Sequence, residues 1–88
     1  MQEKHWRVDI FIDEHERVTR AQARLLNPDE TGLIGTGTAR LNPRDAAVPE
    51  IGDELAVSRA LADLAHQLLD ATVADIEGIT HTDVHLGR

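Results

Sequence analysis

The stretch that decides the fold is PEIGDELAVSRALADLAHQLLDATVADI, residues 49–76. At about 100° per residue, apolar side chains cover almost half of the circumference of the helix that this stretch predicts. One edge of the apolar arc contains Ile51, Leu55, Ala62, Leu69, Val73 and Ile76, and the other contains Val57, Leu61, Leu64 and Leu68. An arc this wide exceeds a two-stranded coiled-coil seam, so we expect the helix to contact two different surfaces.

Both ends of this helix are marked in the sequence. Pro49 suits a first helical turn, where its missing N–H would be unpaired in any case. Glu50, Asp53 and Glu54 follow, and their negative charges favour the positive end of the helix dipole. Gly78 is a plausible stop. We therefore predict one helix over about residues 49–76, with a C-terminal tail over 79–88.

Three segments before the helix show the period of two that is typical of half-buried strands. They cover about residues 4–13, 18–26 and 33–41, and the polar run 13–17 and the turn-forming run 27–32 connect them. The order strand, strand, strand, helix predicts an α+β fold in a single domain over 1–88. Its sheet is a three-stranded antiparallel meander (β-β-β-α), and the helix packs across one face.

Small side chains line the predicted inner face of the sheet. These residues are Ala21, Ala23, Gly35, Gly37 and Ala39. Missing side chains on a strand allow another backbone to approach closely, so we expect the helix to lie directly over them, with Trp6, Val8 and Leu25 filling the edges. The alternative function of Gly35-Thr36-Gly37, a phosphate-binding loop, lacks the further glycines or the Gly-Lys-Ser/Thr ending of such loops.

Composition limits the class of protein. The chain has 88 residues, a formal net charge of -7 and no cysteine, which excludes disulfides and thiolate zinc sites. We find no apolar core of a signal peptide and no apolar run of membrane-spanning length, which predicts a cytoplasmic protein without membrane association. The acidic balance disfavours nonspecific binding to nucleic acid, because polyanions are repelled.

Several motifs together resemble a known family. They are Trp6-Arg7-Val8, Gly35-Thr36-Gly37-Thr38-Ala39-Arg40, Asn42-Pro43-Arg44-Asp45 and VPEIGDELAVSRAL over residues 48–61. Over nearly its whole length, the chain is similar to an uncharacterised actinobacterial family of small proteins. That resemblance implies a fold like that of double-stranded-RNA-binding domains, without their first helix, and it implies no activity. RNA-binding members of that fold carry a Lys cluster where this chain has Glu50, Asp53 and Glu54.

The sheet face away from the helix is a candidate anion or nucleic-acid surface. The alternation predicts that it carries Arg7, Phe11, Arg20, Arg24, Thr36, Thr38 and Arg40. Arginine supplies charge to such a surface, and Phe11 is available for base stacking. The alternative is an ordinary solvated face on which the arginines pair with Asp9 and Asp13 across the strands.

Metal and catalytic sites have weaker signals. His81, Asp83 and His85 alternate, so an extended strand would point all three side chains the same way, but a fourth ligand is missing. We find no nucleophile with a neighbouring base and no carboxylate pair in a predicted apolar pocket. The sequence thus predicts no catalytic residues and no cofactor.

The leading hypothesis is a non-catalytic interaction or structural module that self-associates as a homodimer or higher oligomer. In this hypothesis the helix buries Leu55, Leu69 and Val73 on the sheet, and a second subunit binds part of the other edge, Val57, Leu61, Leu64 and Leu68. Association of two sheets through Phe11 and Ile34 is an alternative geometry. A nucleic-acid or anion-binding module is the alternative function, and a metal-dependent or enzymatic role is the third.

Overall fold

A computed structural model describes residues 2–28, 32–40 and 49–80. Strands β1 (Arg7–His15), β2 (Val18–Leu26) and β3 (Ile34–Arg40) precede helix α1 (Pro49–Thr80). The strands form one antiparallel sheet in the order β1-β2-β3, and the helix crosses one face. The predicted fold class, three antiparallel strands followed by one long C-terminal helix, is confirmed.

Three elements differ in length from their predictions. Strand β1 begins at Arg7 instead of residue 4 and continues to His15, β3 begins at Ile34 instead of residue 33, and β2 has the predicted bounds. Helix α1 passes through Gly78 and ends at Thr80, because a single glycine weakens a helix without stopping it. The connection over 42–48 lies outside the described residues, as does the tail from residue 81.

The turn between β1 and β2 contains only two residues. His15 pairs with Val18, and Glu16 and Arg17 between them have φ angles of 49° and 68°. Positive φ at both central residues matches the twist of the flanking strands, which explains why a turn without Asn-Gly or Asp-Gly takes this conformation. The turn fixes the register that separates the two faces of the sheet.

The core depends on close approach between α1 and β3. A Cβ added at Gly35 would overlap the carbonyl oxygen of Ala60, and one at Gly37 would overlap the carbonyl oxygen of Ala56. The predicted role of both glycines is therefore confirmed. The buried hydrophobic residues are Ala21, Ala23, Leu25, Ala39, Ala56, Ala60 and Leu64.

The side of the helix that faces the sheet differs from the prediction. Leu55 is 41% exposed, whereas the neighbouring Ala56 and Ala60 are fully buried. The backbone of α1 lies directly on Gly35 and Gly37, and the residues that the helix turns toward the sheet there are Ala56, Ala60 and Leu64. The prediction that the Leu55 edge packs on the sheet is thus wrong, and so is the prediction that Trp6 and Val8 fill the edges, since both are exposed.

Candidate interaction surface

The helix leaves the inner face of β1 uncovered. Ile10 pairs with Ala23 and therefore lies on the helix side of the sheet, as do Val8 and Ile12. Val8 is nevertheless 38% exposed, Ile10 is 41% exposed and Ile12 is 46% exposed. The reason is that α1 packs on β3 and β2 and scarcely reaches β1.

Polar side chains of α1 bind the outer edge of β3 and fix the helix in this position. The Thr36 N–H donates to Asp63 Oδ2 at 2.8 Å, and Arg59 Nη1 donates to the Thr38 carbonyl at 2.7 Å. Gln67 Nε2 donates to the Ile34 carbonyl at 2.7 Å and to Asp63 Oδ2 at 3.2 Å. These bonds satisfy backbone groups that an edge strand otherwise exposes.

The opposite flank of α1 points toward β1. Val57, Leu61 and Leu68 lie about 60–100° around the helix from Ala60, on the side away from Arg59 and Asp63. Leu61 is exposed, and Val57 and Leu68 are partly buried beside the core. Together with the inner face of β1 they form an apolar groove. We call this the β1 groove, with Val8, Ile10 and Ile12 as its floor and Val57, Leu61 and Leu68 as its wall.

Leu64 belongs to the core instead of to this surface. It is only 3% exposed and packs over Gly35, since a Cβ added at Gly35 would lie 2.8 Å from Leu64 Cβ. Of the four residues predicted to contact a second subunit, Val57, Leu61 and Leu68 border the groove.

The floor of the groove was not predicted. A helix about 10 Å wide covers about two strands spaced 4.8 Å apart, and this comparison would have revealed the third strand as uncovered.

A third side of α1, facing away from the sheet, is also apolar. Ile51 and Leu55 are exposed there, and Leu69, Val73 and Ile76 on the same side are partly buried. The sector beside the β3 edge carries Arg59, Asp63, His66 and Asp70. The exposed Glu50, Glu54 and Asp75 lie nearer the two ends of the flank toward β1, so this flank is apolar between Val57 and Leu68. Exposed apolar side chains on sides other than the sheet side are typical of a helix that is covered on more than its sheet side.

The other face of the sheet carries the predicted arginine surface. The pairing places Arg7, Phe11, Arg20, Arg24, Thr36, Thr38 and Arg40 together on this exposed face. Arg7 pairs with Asp9 on its own strand at 3.0 Å, and the Arg24 guanidinium lies 5.4 Å from the centre of the Phe11 ring. Arg20 and Arg40 form no ion pair with another described residue, so the expected pairing across the strands is not formed there.

The remaining candidate from the sequence is a metal site. Among the described residues, no three His, Cys, Asp or Glu side chains group in a way that could hold a metal ion. The candidate ligands His81, Asp83 and His85 lie outside the part of the chain that the structure describes. A search of residues 2–28, 32–40 and 49–80 finds no helix long and apolar enough to cross a membrane.

The geometry defines a class of small α+β protein in which one long helix follows a three-stranded antiparallel meander. The chain belongs to the Rv2632c-like family, whose model matches residues 4–85. The earlier prediction of a family of small actinobacterial proteins is thereby confirmed, whereas the likeness to double-stranded-RNA-binding domains stays a prediction.

The chain is similar to several mycobacterial proteins. The uncharacterized protein Mb1767 of Mycobacterium bovis is 57% identical over 83 residues, which cover 94% of this chain and 87% of that protein. The uncharacterized protein Rv2632c of Mycobacterium tuberculosis is 49% identical over 81 residues, covering 92% and 86% respectively. The crystal structure of Rv2632c matches with a TM-score of 0.82 at 48% identity, covering 93% of this chain and 96% of that one. None of these names assigns a function.

Proposed function

We propose that this protein is a non-catalytic interaction module that self-associates through the β1 groove. The observation that carries the proposal is the exposure of Val8, Ile10 and Ile12 on the helix side of the sheet. Aliphatic side chains on the inner face of a sheet normally lie beneath another layer. A second layer over β1 would remove them from water.

A second copy of the chain is the occupant that best fits this groove. Each copy offers both an apolar recess and an exposed apolar helix side at Ile51 and Leu55, so two copies can cover each other. A standard interface buries about 800 Å² on each partner, and the exposed apolar side chains of these two surfaces would form its centre. The polar rim would supply the remainder.

The test compares two adjacent residues on opposite faces of β1. Ile10→Glu places a charge in the groove, whereas Phe11→Glu places the same charge on the other face. We expect the wild type to be dimeric by sedimentation equilibrium and Ile10→Glu to raise the dissociation constant roughly 100-fold, because a carboxylate would be desolvated in the interface. Phe11→Glu is expected to keep the wild-type constant.

Two results would contradict the proposal. One is a monomeric wild type at high protein concentration, and the other is equal loss of association in both variants. Circular dichroism melts of both variants establish that the fold is retained. A cytoplasmic location, which the sequence predicts, belongs to the same proposal.

The arginine face supports a second candidate function, binding of an anion or of nucleic acid. The observation that favours it is the lack of ion pairs at Arg20 and Arg40 within the described chain, on a face that also holds Arg24 and Phe11. Binding of single-stranded RNA would weaken with rising salt and would disappear in Arg20→Ala with Arg24→Ala. Lys4→Ala with Arg17→Ala removes the same charge elsewhere and would keep the affinity. Fluorescence anisotropy at low salt that detects no binding by the wild type would eliminate this function.

A further inference from the structure

We infer that two copies form a three-layer dimer in which helix α1 of each copy lies over strand β1 of the other. This inference rests on the proposed self-association and adds its geometry. The two helices would form the middle layer, side by side, between two three-stranded sheets.

The position of α1 leaves room for one more helix. It packs on β3 through Gly35 and Gly37 and over the buried Ala21 and Ala23 of β2, so its axis lies between these two strands. Packed helices are 8–10 Å apart, which is about two strand spacings. A second helix at that distance would be centred about half a strand spacing beyond β1, and with a width of about 10 Å it would cover that strand.

The order of residues around α1 matches this side-by-side arrangement of the two helices. The sheet side carries Ala56 and Ala60, and the flank toward β1 carries Leu61, which would meet the second helix. The side away from the sheet carries Leu55, which would meet the second sheet. The polar sector at Asp63 faces the β3 edge and would remain outside the dimer, whereas Glu50, Glu54 and Asp75 of the Leu61 flank would lie toward the two ends of the helix pair.

The symmetry of the arrangement determines which residues meet. Two sheets on opposite sides of a helix pair require a twofold axis along the helices, so the helices are parallel and each residue lies level with its own copy. Leu61 would therefore contact Leu61 of the second copy. Strand pairing through Ala21 and Gly37 places Ile12 level with the turn from Ala56 to Ala60. Leu55 would accordingly contact Ile12 of the second copy.

Edge-to-edge pairing of β1 with β1 is the competing geometry. It would extend the sheet to six strands, but the two helices would then stand about 19 Å apart, four strand spacings, with the β1 groove open between them. That arrangement leaves Leu61 and Leu55 in water. The three-layer dimer covers both, and the two geometries differ in which residues meet across the axis.

Single-cysteine cross-linking of the full chain tests the inference, since the natural sequence has no cysteine. Leu61→Cys is expected to form a covalent dimer under oxidised glutathione about ten-fold faster or more than His66→Cys, which lies in the polar sector. Ile10→Cys is expected to stay unlinked, because the two sheets lie on opposite sides of the helix pair. Val57→Cys and Leu68→Cys repeat the test one or two turns away if Leu61→Cys proves unstable.

The outcomes separate this inference from the proposed function. Rapid cross-linking of Leu61→Cys without Ile10→Cys supports the three-layer dimer. Rapid cross-linking of Ile10→Cys without Leu61→Cys indicates edge pairing and overturns the inference while the self-association stands. A monomeric wild-type mass, with no cross-linking of any variant, overturns both.

Discussion

At the scale of single residues, two glycines determine how closely the helix approaches the sheet. Gly35 and Gly37 lie under the backbone of α1, where any side chain would overlap carbonyl oxygens of Ala56 and Ala60. Neither needs an unusual backbone conformation, so their role is one of space and not of φ. Gly78 differs, since a Cβ there would meet no atom within 4 Å.

This difference predicts opposite effects of the same substitution. Gly37→Ala is expected to lower the free energy of unfolding by about 1–3 kcal/mol, because the added methyl group forces the helix away from β3. Gly78→Ala is expected to raise the free energy of unfolding by about 0.5–1 kcal/mol, because alanine favours a helix interior over glycine. Urea denaturation measures both. A Gly37→Ala protein as stable as the wild type would show that the close contact does not limit stability.

At the scale of elements, α1 protects one edge of the sheet and leaves the other open. Three side chains one turn apart, Arg59, Asp63 and Gln67, bind backbone groups of β3. They make the hydrogen bonds that a fourth strand would otherwise make to this edge, and we call these three side chains the edge caps. The hydroxyl of Thr19, buried beneath the helix, has no partner among the described groups. The backbone groups at the β3 edge of the helix–sheet contact are thus hydrogen-bonded, whereas the Thr19 hydroxyl at the centre of the contact has no such partner.

Removal of the central edge cap tests this role. Asp63→Ala is expected to lower the free energy of unfolding by about 1 kcal/mol, because the Thr36 N–H loses its acceptor. Amide hydrogen exchange at Thr36 should accelerate at the same time. His66→Ala, an exposed position less than one turn away, is the matched control and should change neither quantity. Unchanged exchange at Thr36 in Asp63→Ala would show that the carboxylate does not protect the edge.

At the scale of the whole molecule, one helix is too narrow for three strands. The sheet therefore has a covered part over β2 and β3 and an uncovered apolar part at β1, where Ile10 and Ile12 lie in water. The opposite face carries arginines, although the chain has a net charge of -7, together with the exposed Phe11, Leu26 and Ile34. The two faces thus suit different partners. The apolar one favours a second copy of the chain.

The sequence could predict the elements because each depends on a local period. Alternation located β2 to the residue, and the small residues at Gly35 and Gly37 correctly indicated where the helix approaches. The candidate site was predicted only in part. Val57, Leu61 and Leu68 border the groove, whereas Leu64 is buried and the exposure of the floor residue Ile10 was not predicted. Alternation identifies the face of a strand but does not show how far a neighbouring helix extends over it.

The sequence by itself thus determined the order of elements, the two faces of the sheet and the family, because these follow from residue periods and local motifs. Only the tertiary structure decided the rotation and lateral position of α1. Those depend on contacts between residues far apart in the chain, namely the fit of Ala56 and Ala60 onto glycine and the bonds of Asp63 to the β3 edge. The uncovered strand is the consequence of that placement.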